Sequence, residues 1–244
     1  MTTFEYRLFR PDSVLSGLLY FPVSRTTDVL RVYRNLIGEA PDELQTAGGL
    51  MGTPHGPALM VSLCYCGVLA HGERIVDRWR KWLRPMKDTV QAGSYTAEFS
   101  MGDGPSTGGG AFLPELSDVV INVLASSYAN APPDASAMWN DFHGAVTRVP
   151  IEATAFPLRR RGFDLFISAP WHDAEGQTKA RAWVRALQNS LQPYAQGVYV
   201  NNLEDEGDAR VREAYGPNYA RLSRVKAQYD PRNVLHVNQN ISPV

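Results

Sequence analysis

The most telling part of the chain lies near its C-terminal end and reads Tyr199-Val-Asn-Asn-Leu-Glu-Asp-Glu-Gly207, Ala214-Tyr-Gly-Pro-Asn-Tyr-Ala-Arg-Leu222, Tyr229-Asp-Pro-Arg-Asn-Val234 and Asn238-Gln-Asn-Ile241. Apolar residues recur at helical spacing between 218 and 229, which predicts a helix that buries Tyr219, Leu222 and Val225. An aspartate directly before a proline favours a turn, so the helix is expected to end near Asp230. The segment is therefore predicted to contain one helix followed by a polar turn.

The composition of the 244-residue chain is that of a soluble globular protein, with 44% hydrophobic and 20% charged residues. Its net charge of −1 gives no electrostatic reason to expect a nucleic-acid or acidic-membrane partner. No apolar run approaches the roughly 20 residues that a membrane span needs. No apolar signal-peptide core follows Met1, and the chain has only two cysteines, so a cytoplasmic location is predicted.

Hydrophobic periodicity predicts strands and helices in alternating groups. Runs rich in β-branched and aromatic residues predict strands over 4–8, 14–21, 45–51, 57–66, 137–149 and 163–169. Apolar faces at helical spacing predict helices over 27–37, 73–83, 116–128, 176–191 and 218–229, with Trp79, Trp82 and Trp183 facing inward. The order of these elements indicates an α+β protein in which a large antiparallel β-sheet is covered by helices on one face.

A glycine-rich patch, Gly102-Asp-Gly-Pro-Ser-Thr-Gly-Gly-Gly110, is predicted to be a flexible loop. A phosphate-binding loop is the alternative interpretation. It is less favoured because no apolar strand leads directly into the patch and residues 112–114 separate it from the next helix.

Cys64 and Cys66 are the only two cysteines of the chain. Residues two apart on a strand point to the same face, and a disulfide between them would strain the backbone. They are therefore expected to be two small core residues. No metal site is predicted, because no histidine lies at ligand spacing.

Motifs spread along the whole chain point to one family. They are, in order, Phe4-Glu-Tyr-Arg-Leu8, Ala40-Pro-Asp-Glu-Leu44, Cys64-Tyr-Cys-Gly67, Phe112-Leu-Pro-Glu-Leu-Ser-Asp118, Thr154-Ala-Phe-Pro157 with Arg159, and the C-terminal stretch quoted above. Together they resemble the berberine-bridge-enzyme-like branch of the FAD-linked oxidoreductases over essentially all 244 residues. The Cys-Tyr-Cys-Gly and Tyr-Val-Asn-Asn-Leu variants resemble bacterial members, so a bacterial source is expected.

The resemblance implies two parts of a larger architecture. Residues 1–196 would form the substrate-binding domain, and residues 197–244 the C-terminal segment that normally completes the FAD-binding domain. The family's glycine-rich FAD-binding domain would precede residue 4, so we expect a truncated chain that cannot retain FAD alone. One explanation is a shortened gene model, because Met1 stands where relatives carry valine and a GTG codon can serve as a start. The other is a natural fragment that pairs with a separate FAD-binding domain or subunit.

The resemblance also implies a reaction and the residues that carry it. A small-molecule substrate would transfer a hydride from a C–H bond to flavin N5 of FAD, while a protein base removes a proton. Asp164 is the only carboxylate on the strand face that it shares with Phe166 and Ser168, where relatives often place an acid or amide facing the substrate. It is the first predicted catalytic residue, and a surface acid at the end of the strand is the structural alternative. Asn202 is the second predicted catalytic residue, although many relatives carry tyrosine there and an amide cannot act as a base.

Three further residues are predicted to bind the cofactor. Asn201 matches the asparagine of the family's Tyr-x-Asn motif beside the flavin ring, and its amide can both donate and accept hydrogen bonds. Asn238 and Gln239 match the terminal Asn-Gln-x-Ile motif, which in relatives packs near the cofactor. A turn at Asn201 and a solvated tail at 238–239 are the structural alternatives.

Two residues favour a different class of function. Leu158 stands where the family often carries histidine, and Asn202 stands where many relatives carry tyrosine. Both favour a non-redox ligand-binding or interaction subunit derived from such an enzyme. A nonfunctional remnant is the third interpretation, and it would expose a surface that evolved to be buried.

Overall fold

An antiparallel β-sheet organises the chain. The computed structural model describes residues 3, 5, 13–95, 105–204 and 206–244, so the predicted strand over 4–8 lies outside the described residues apart from Glu5. The strands are β1 (Val14–Pro22), β2 (Leu44–Met51), β3 (Ala58–Tyr65), β4 (Lys87–Asp88), β5 (Gln91–Gly93), β6 (Ser106–Leu113), β7 (Ser136–Phe142) and β8 (Gly162–Pro170). Their order across the sheet is β4-β1-β3-β2-β7-β8-β6, and β5 also pairs with β1. Each of these pairings is antiparallel.

Six α-helices occur in the described residues: α1 (Thr26–Gly38), α2 (Leu69–Leu83), α3 (Asp118–Tyr128), α4 (Ala174–Leu191), α5 (Asp208–Tyr215) and α6 (Tyr219–Tyr229). Side-chain caps fix two of their starts. The Ser117 hydroxyl accepts from the Val120 N–H at 3.3 Å, and the Asp173 carboxylate accepts from the Gly176 N–H at 2.7 Å. Such caps satisfy backbone donors that have no partner within the helix.

Helices α1 to α4 pack on one face of the sheet and enclose the main hydrophobic core. Alternate residues of β8, including Leu165 and Ile167, point into this core and are fully buried. The Tyr33 ring meets Trp79 and Trp139 edge-on, with ring centroids 5.8 Å and 6.2 Å away. The predicted α+β class, a large antiparallel sheet covered by helices on one face, is thus confirmed.

The opposite face of the sheet (the open face) carries the other set of alternate residues. On β7 and β8 these include Met138, Asn140, Asp164, Phe166 and Ser168, and the strand register pairs Asn140 with Asp164. Met138, Phe166 and Ser168 are partly exposed and Asn140 is exposed. The C-terminal segment covers one corner of this face, above β6 and β8.

Strand β6 occupies part of the stretch that was predicted to be a loop. Residues 102–104 lie outside the described part of the chain, but β6 pairs with β8 along its full length, so the loop prediction is wrong for 106–110. A Cβ on Gly109 would lie 2.4 Å from Nε2 of Gln188, and a Cβ on Gly110 would lie 2.7 Å from Cβ of Asn202. Glycine is unfavourable in the interior of a strand. It is required at 109 and 110 because a side chain on either face of β6 would collide with a close neighbour.

Other details depart from the sequence prediction. Strand β7 ends at Phe142 and is followed by a 3-10 turn over Gly144–Arg148, so the extended prediction is wrong beyond 142. Trp82 is 61% exposed and Val225 is 45% exposed, although both were predicted to face inward. Helix α5 was not predicted, because only two of its eight residues are buried.

The chain returns to the sheet at residues 196 and 197. The Gln196 N–H donates to the Phe112 carbonyl at 2.8 Å, and the Phe112 N–H donates to the Gly197 carbonyl at 2.8 Å. These bonds place the returning chain along the outer side of β6. A second hydrophobic cluster follows, made of Val198, Leu203, Val211, Ala214 and Tyr219. The division of the chain into 1–196 and 197–244 stays a prediction.

Candidate functional site

Asp164 supplies a buried carboxyl group on the open face of the sheet. It lies on β8 between Asn140 of β7 and Phe112 of β6, and it is 5% exposed. Burial raises its pKa to about 6, and a hydrogen bond from Asn202 lowers the pKa in part. A carboxyl group with such a pKa is mostly ionised at pH 7 and can still take up a proton near neutrality.

A short 3-10 turn, Val200–Asn202, brings Asn202 to this carboxyl group. Its Nδ2 donates to Asp164 Oδ1 at 3.0 Å, and its backbone N–H closes the turn on the Tyr199 carbonyl at 2.9 Å. The two residues predicted to be catalytic are thus in contact, although they are 38 positions apart. Because an amide is not a base, Asn202 can orient the carboxylate but cannot accept its proton.

Arg210 ties the C-terminal segment to the same corner of the sheet. Its Nη2 donates to the Gly110 carbonyl at 3.2 Å, and its Nε pairs with Glu206 at 2.9 Å. The Glu206 carboxylate also accepts from Gln188 Nε2 of α4 at 3.3 Å. Sequence analysis did not single out Arg210. The signal that could have found it is its spacing of four from Glu206 and of three from Glu213, which it contacts on α5.

A pocket of about 230 Å³ opens beside Asn201, the first residue predicted to bind the cofactor. Its wall is mostly apolar and includes Phe156, Pro157, Leu158, Val198 and Tyr199. Asn201 is exposed, and its Nδ2 donates to Tyr199 Oη at 2.7 Å. The pocket is smaller than the ~300–1,000 Å³ of typical small-molecule sites, so it suits one edge of a ring system and not a whole dinucleotide.

The other two residues predicted to bind the cofactor lie on the C-terminal tail, and their surroundings differ. Gln239 Nε2 donates to the Leu203 carbonyl at 2.7 Å, which fastens the tail beside the turn that carries Asn201. Asn238 is exposed and has a left-handed backbone with φ of 62°. Gln239 is thus held next to the Asn201 turn, and Asn238 lies at the surface.

Asp230 organises the start of the tail, as the predicted turn requires. Its carboxylate accepts from the backbone N–H groups of Val234 and Leu235 at 2.8 Å and 2.9 Å, and from Lys226 Nζ at 2.6 Å. The Lys226 ammonium and these backbone donors lower the Asp230 pKa to about 2. The turn presents a set of apolar side chains that are 61–79% exposed, namely Tyr229, Val234, Leu235 and Val237 (the tail apolar surface).

A second buried carboxyl group, that of Asp141, lies on the helix-covered side of β7 and was not predicted. Its Oδ2 lies beside His143 Nδ1, and His143 Nε2 lies 3.2 Å from the Pro41 carbonyl oxygen. Burial raises the Asp141 pKa. Because Asp141 and Asp164 point to opposite faces of the sheet, this pair is separate from the site on the open face.

Comparison with known protein families gives a match at the C-terminal end. Residues 198–242 match the family described as "Berberine and berberine like". The curated protein YvdP of Bacillus subtilis, an uncharacterized FAD-linked oxidoreductase, is 35% identical over 132 residues, which are 52% of this chain and 29% of YvdP. The FAD-linked oxidoreductase aurO of Gibberella zeae is 24% identical over 250 residues, 95% of this chain and 48% of that protein.

Solved structures agree in fold. The 6-hydroxy-D-nicotine oxidase of Arthrobacter nicotinovorans superposes with a TM-score of 0.77 at 20% identity and covers 96% of this chain and 56% of its own. Phl p 4, a grass pollen allergen with glucose dehydrogenase activity, superposes with a TM-score of 0.82 at 14% identity, over 97% of this chain and 56% of its own. The chain therefore spans about half the length of the solved proteins that it matches.

The sheet, its open face and the returning C-terminal segment share the fold of FAD-linked oxidoreductases, and part of the chain is similar to them in sequence. Within that class, residues 198–242 match the berberine and berberine-like family, and berberine bridge enzyme shares the fold of this chain. The resemblance read from its sequence motifs is thus confirmed.

Proposed function

We propose that this chain supplies the substrate-facing sheet and the C-terminal flavin-contacting segment of an oxidoreductase that moves a hydride from a substrate C–H bond to flavin N5. The observation that carries the proposal is the buried Asp164 carboxyl group on the open face, held by Asn202 at 3.0 Å. A substrate hydroxyl or amine that loses a hydride must also lose a proton. A carboxylate with a pKa of about 6 can accept that proton at neutral pH.

In this proposal Asp164 is the base and Asn202 is its positioning residue. Asn202 donates to Oδ1, and Oδ2 is the oxygen that we assign to the substrate proton. Low exposure keeps water from competing for the carboxylate, because the group is 5% exposed. The same burial makes the ionised form costly, which is the source of the raised pKa.

The residues near Asn201 fit contact with one edge of a flavin but not enclosure of a whole FAD. Asn201 presents an exposed amide beside an apolar pocket of about 230 Å³, and Gln239 fastens the tail next to it. We assign Asn201, Asn238 and Gln239 to the cofactor-facing side of this segment. FAD, when bound, would accept the hydride.

A separate FAD-binding domain or subunit is the proposed partner. Its docking site would include the tail apolar surface, whose four side chains are 61–79% exposed. Exposed apolar clusters of this kind mark interaction sites. Solved relatives are nearly twice as long as the part that this chain matches, since the match covers 56% of the 6-hydroxy-D-nicotine oxidase chain.

The proposed setting is a bacterial cytoplasm, with a small-molecule substrate and no nucleic-acid or membrane partner. The net charge of −1 supports this proposal. Within the described residues, none of the helices combines the length and apolarity needed to cross a membrane.

The test joins the chain with the separately expressed FAD-binding portion of a relative such as YvdP. Flavin absorbance after co-purification reports cofactor retention. Anaerobic bleaching of the flavin by a panel of alcohols, sugars and amines reports hydride transfer. We expect bleaching with the wild-type chain, and at least ~100-fold slower bleaching with Asp164→Asn. Stable flavin binding with equal bleaching by both chains would refute the role of Asp164. A folded chain that binds panel compounds but retains no flavin would favour the non-redox ligand-binding subunit.

A further inference from the structure

The two cysteines lie together on the open face of the sheet and not in the core, where they were predicted to lie. Cys64 belongs to β3, and its Sγ lies 3.8 Å from the Sγ of Cys66. Both side chains are partly exposed and both thiols are free, so the prediction of two core residues is wrong. The Cys66 N–H donates to the Glu43 carbonyl at 2.9 Å, which continues the pairing of β3 with β2 and positions the Cys66 backbone.

The spacing of the two sulfur atoms suits a bridging atom better than a direct bond. A disulfide would bring the atoms to about 2.05 Å and would have to form between positions i and i+2 of an extended backbone. A metal ion bound to two thiolates at about 2.3 Å each allows the sulfur atoms to be as much as ~4.6 Å apart. The observed separation of 3.8 Å falls within that limit.

The ligand set narrows the choice of ion. Two thiolates select a soft cation over hard ions such as Mg²⁺ and Ca²⁺, which prefer oxygen ligands. Structural zinc requires four ligands. In the described ranges, no group of three His, Cys, Asp or Glu side chains is arranged to hold a metal. A soft cation that accepts two ligands, with Cu(I) as its biological example, matches this ligand set, and rotation of the two side chains from 3.8 Å to ~4.6 Å between the sulfur atoms would give a linear bridge.

We propose that Cys64 and Cys66 form a two-thiolate site for a soft monovalent cation of the Cu(I) type on the open face of the sheet. Binding forms two metal–sulfur bonds and releases two protons, without oxidation of either partner. The site is independent of the role assigned to Asp164, because Cys64 lies three strands away, or about 15 Å at the usual strand spacing.

The experiment is an anaerobic Cu(I) titration of the reduced, purified chain in competition with a chromophoric Cu(I) chelator. We expect one Cu(I) per chain and a loss of affinity of about 100-fold or more in both Cys64→Ser and Cys66→Ser, because each variant loses the chelating second ligand. Met60→Leu is the matched control, since it removes a sulfur from the same strand and should leave the affinity unchanged. Either cysteine variant binding as tightly as wild type would overturn the proposal.

A second measurement needs no variant. Alkylation with iodoacetamide, followed by mass spectrometry, reports each thiol of the wild-type chain. One equivalent of Cu(I) should protect both cysteines together. Protection of one cysteine alone, or of neither, would show that no bridged site forms.

Discussion

Gly110→Ala tests whether the C-terminal segment must approach β6 closely in order to place Asn202. A Cβ at this position would lie 2.7 Å from Asn202 Cβ and 3.0 Å from the Leu165 carbonyl oxygen. Carbon atoms in ordinary contact are about 3.5–4.0 Å apart, so the new methyl group would overlap Asn202 by roughly 1 Å. The Leu165 carbonyl belongs to the sheet, so the turn that carries Asn202 is the part that must move.

Two costs follow from that movement. Overpacking of this size destabilises a protein by about 1–3 kcal/mol. Loss of the Asn202 hydrogen bond to a carboxylate adds a share of the about 1.5–3 kcal/mol that charged hydrogen bonds contribute. We expect the free energy of unfolding to fall by about 2–4 kcal/mol in total. The Asp164 pKa should rise above its value of about 6, because the bond that lowers it is lost.

Urea denaturation and an NMR titration of the aspartate carboxyl carbons measure the two quantities. Gly93→Ala is the matched control, since Gly93 lies on β5 and a Cβ there would have no heavy atom within 4 Å. In the control, the free energy of unfolding should stay within about 0.5 kcal/mol of the wild-type value, and the Asp164 pKa should be unchanged. An unchanged Asp164 pKa in Gly110→Ala would refute the reasoning, because it would show that Asn202 does not depend on the glycine.

Three further predictions concern charge and surface. The pKa of Asp164 is about 6 in the folded chain and its ordinary value is 3.8, so the folded chain binds the proton more tightly and this group's contribution to stability is lost as the pH rises from about 4 to 6. Asp164→Asn should therefore remove about 2.5 kcal/mol of the difference in unfolding free energy between pH 4 and pH 7, measured by urea denaturation. Asp230→Asn should loosen residues 231–244 and speed their cleavage by a protease, because the carboxylate accepts from backbone N–H groups of this tail. Asp208 is exposed, so Asp208→Asn is the control and should not change the cleavage rate. Equal cleavage of both variants would contradict the role of Asp230. Leu235→Asp should abolish co-purification with the separately expressed FAD-binding portion of a relative. Val119→Asp, on the exposed side of α3, should leave co-purification unchanged. The yields of the two variants in a pull-down measure the difference.

The parts of the fold that follow from hydrophobic periodicity were predictable from sequence. Helix α1 and strand β8 fall within one residue of their predicted bounds, because each has one face in the core and the other in a different environment. Strand β6 could not be found in this way. Its glycines are selected by the approach of Gln188 and Asn202, and these contacts come from distant parts of the chain.

The site was partly predictable for the same reason. Asp164 was found because it is the carboxylate on its strand face, and strand alternation fixes that face. Its contact with Asn202 depends on a chain return of 38 residues that no local pattern specifies. The cysteine pair was misjudged because alternation shows that two residues share a face but does not show which face is covered by helices.

The bonds between Phe112 and residues 196–197 also determine how the sheet ends. An unpaired outer strand is a template on which a second sheet can add, and proteins shield such strands. On one side of this sheet the outermost strands, β4 and β5, are two and three residues long, so they offer few backbone groups with which another strand could pair. On the other side, the returning chain forms hydrogen bonds with both the N–H and the carbonyl group of Phe112. Cleavage before residue 196 would uncover β6, and the sheet would then be expected to join others edge to edge and form aggregates.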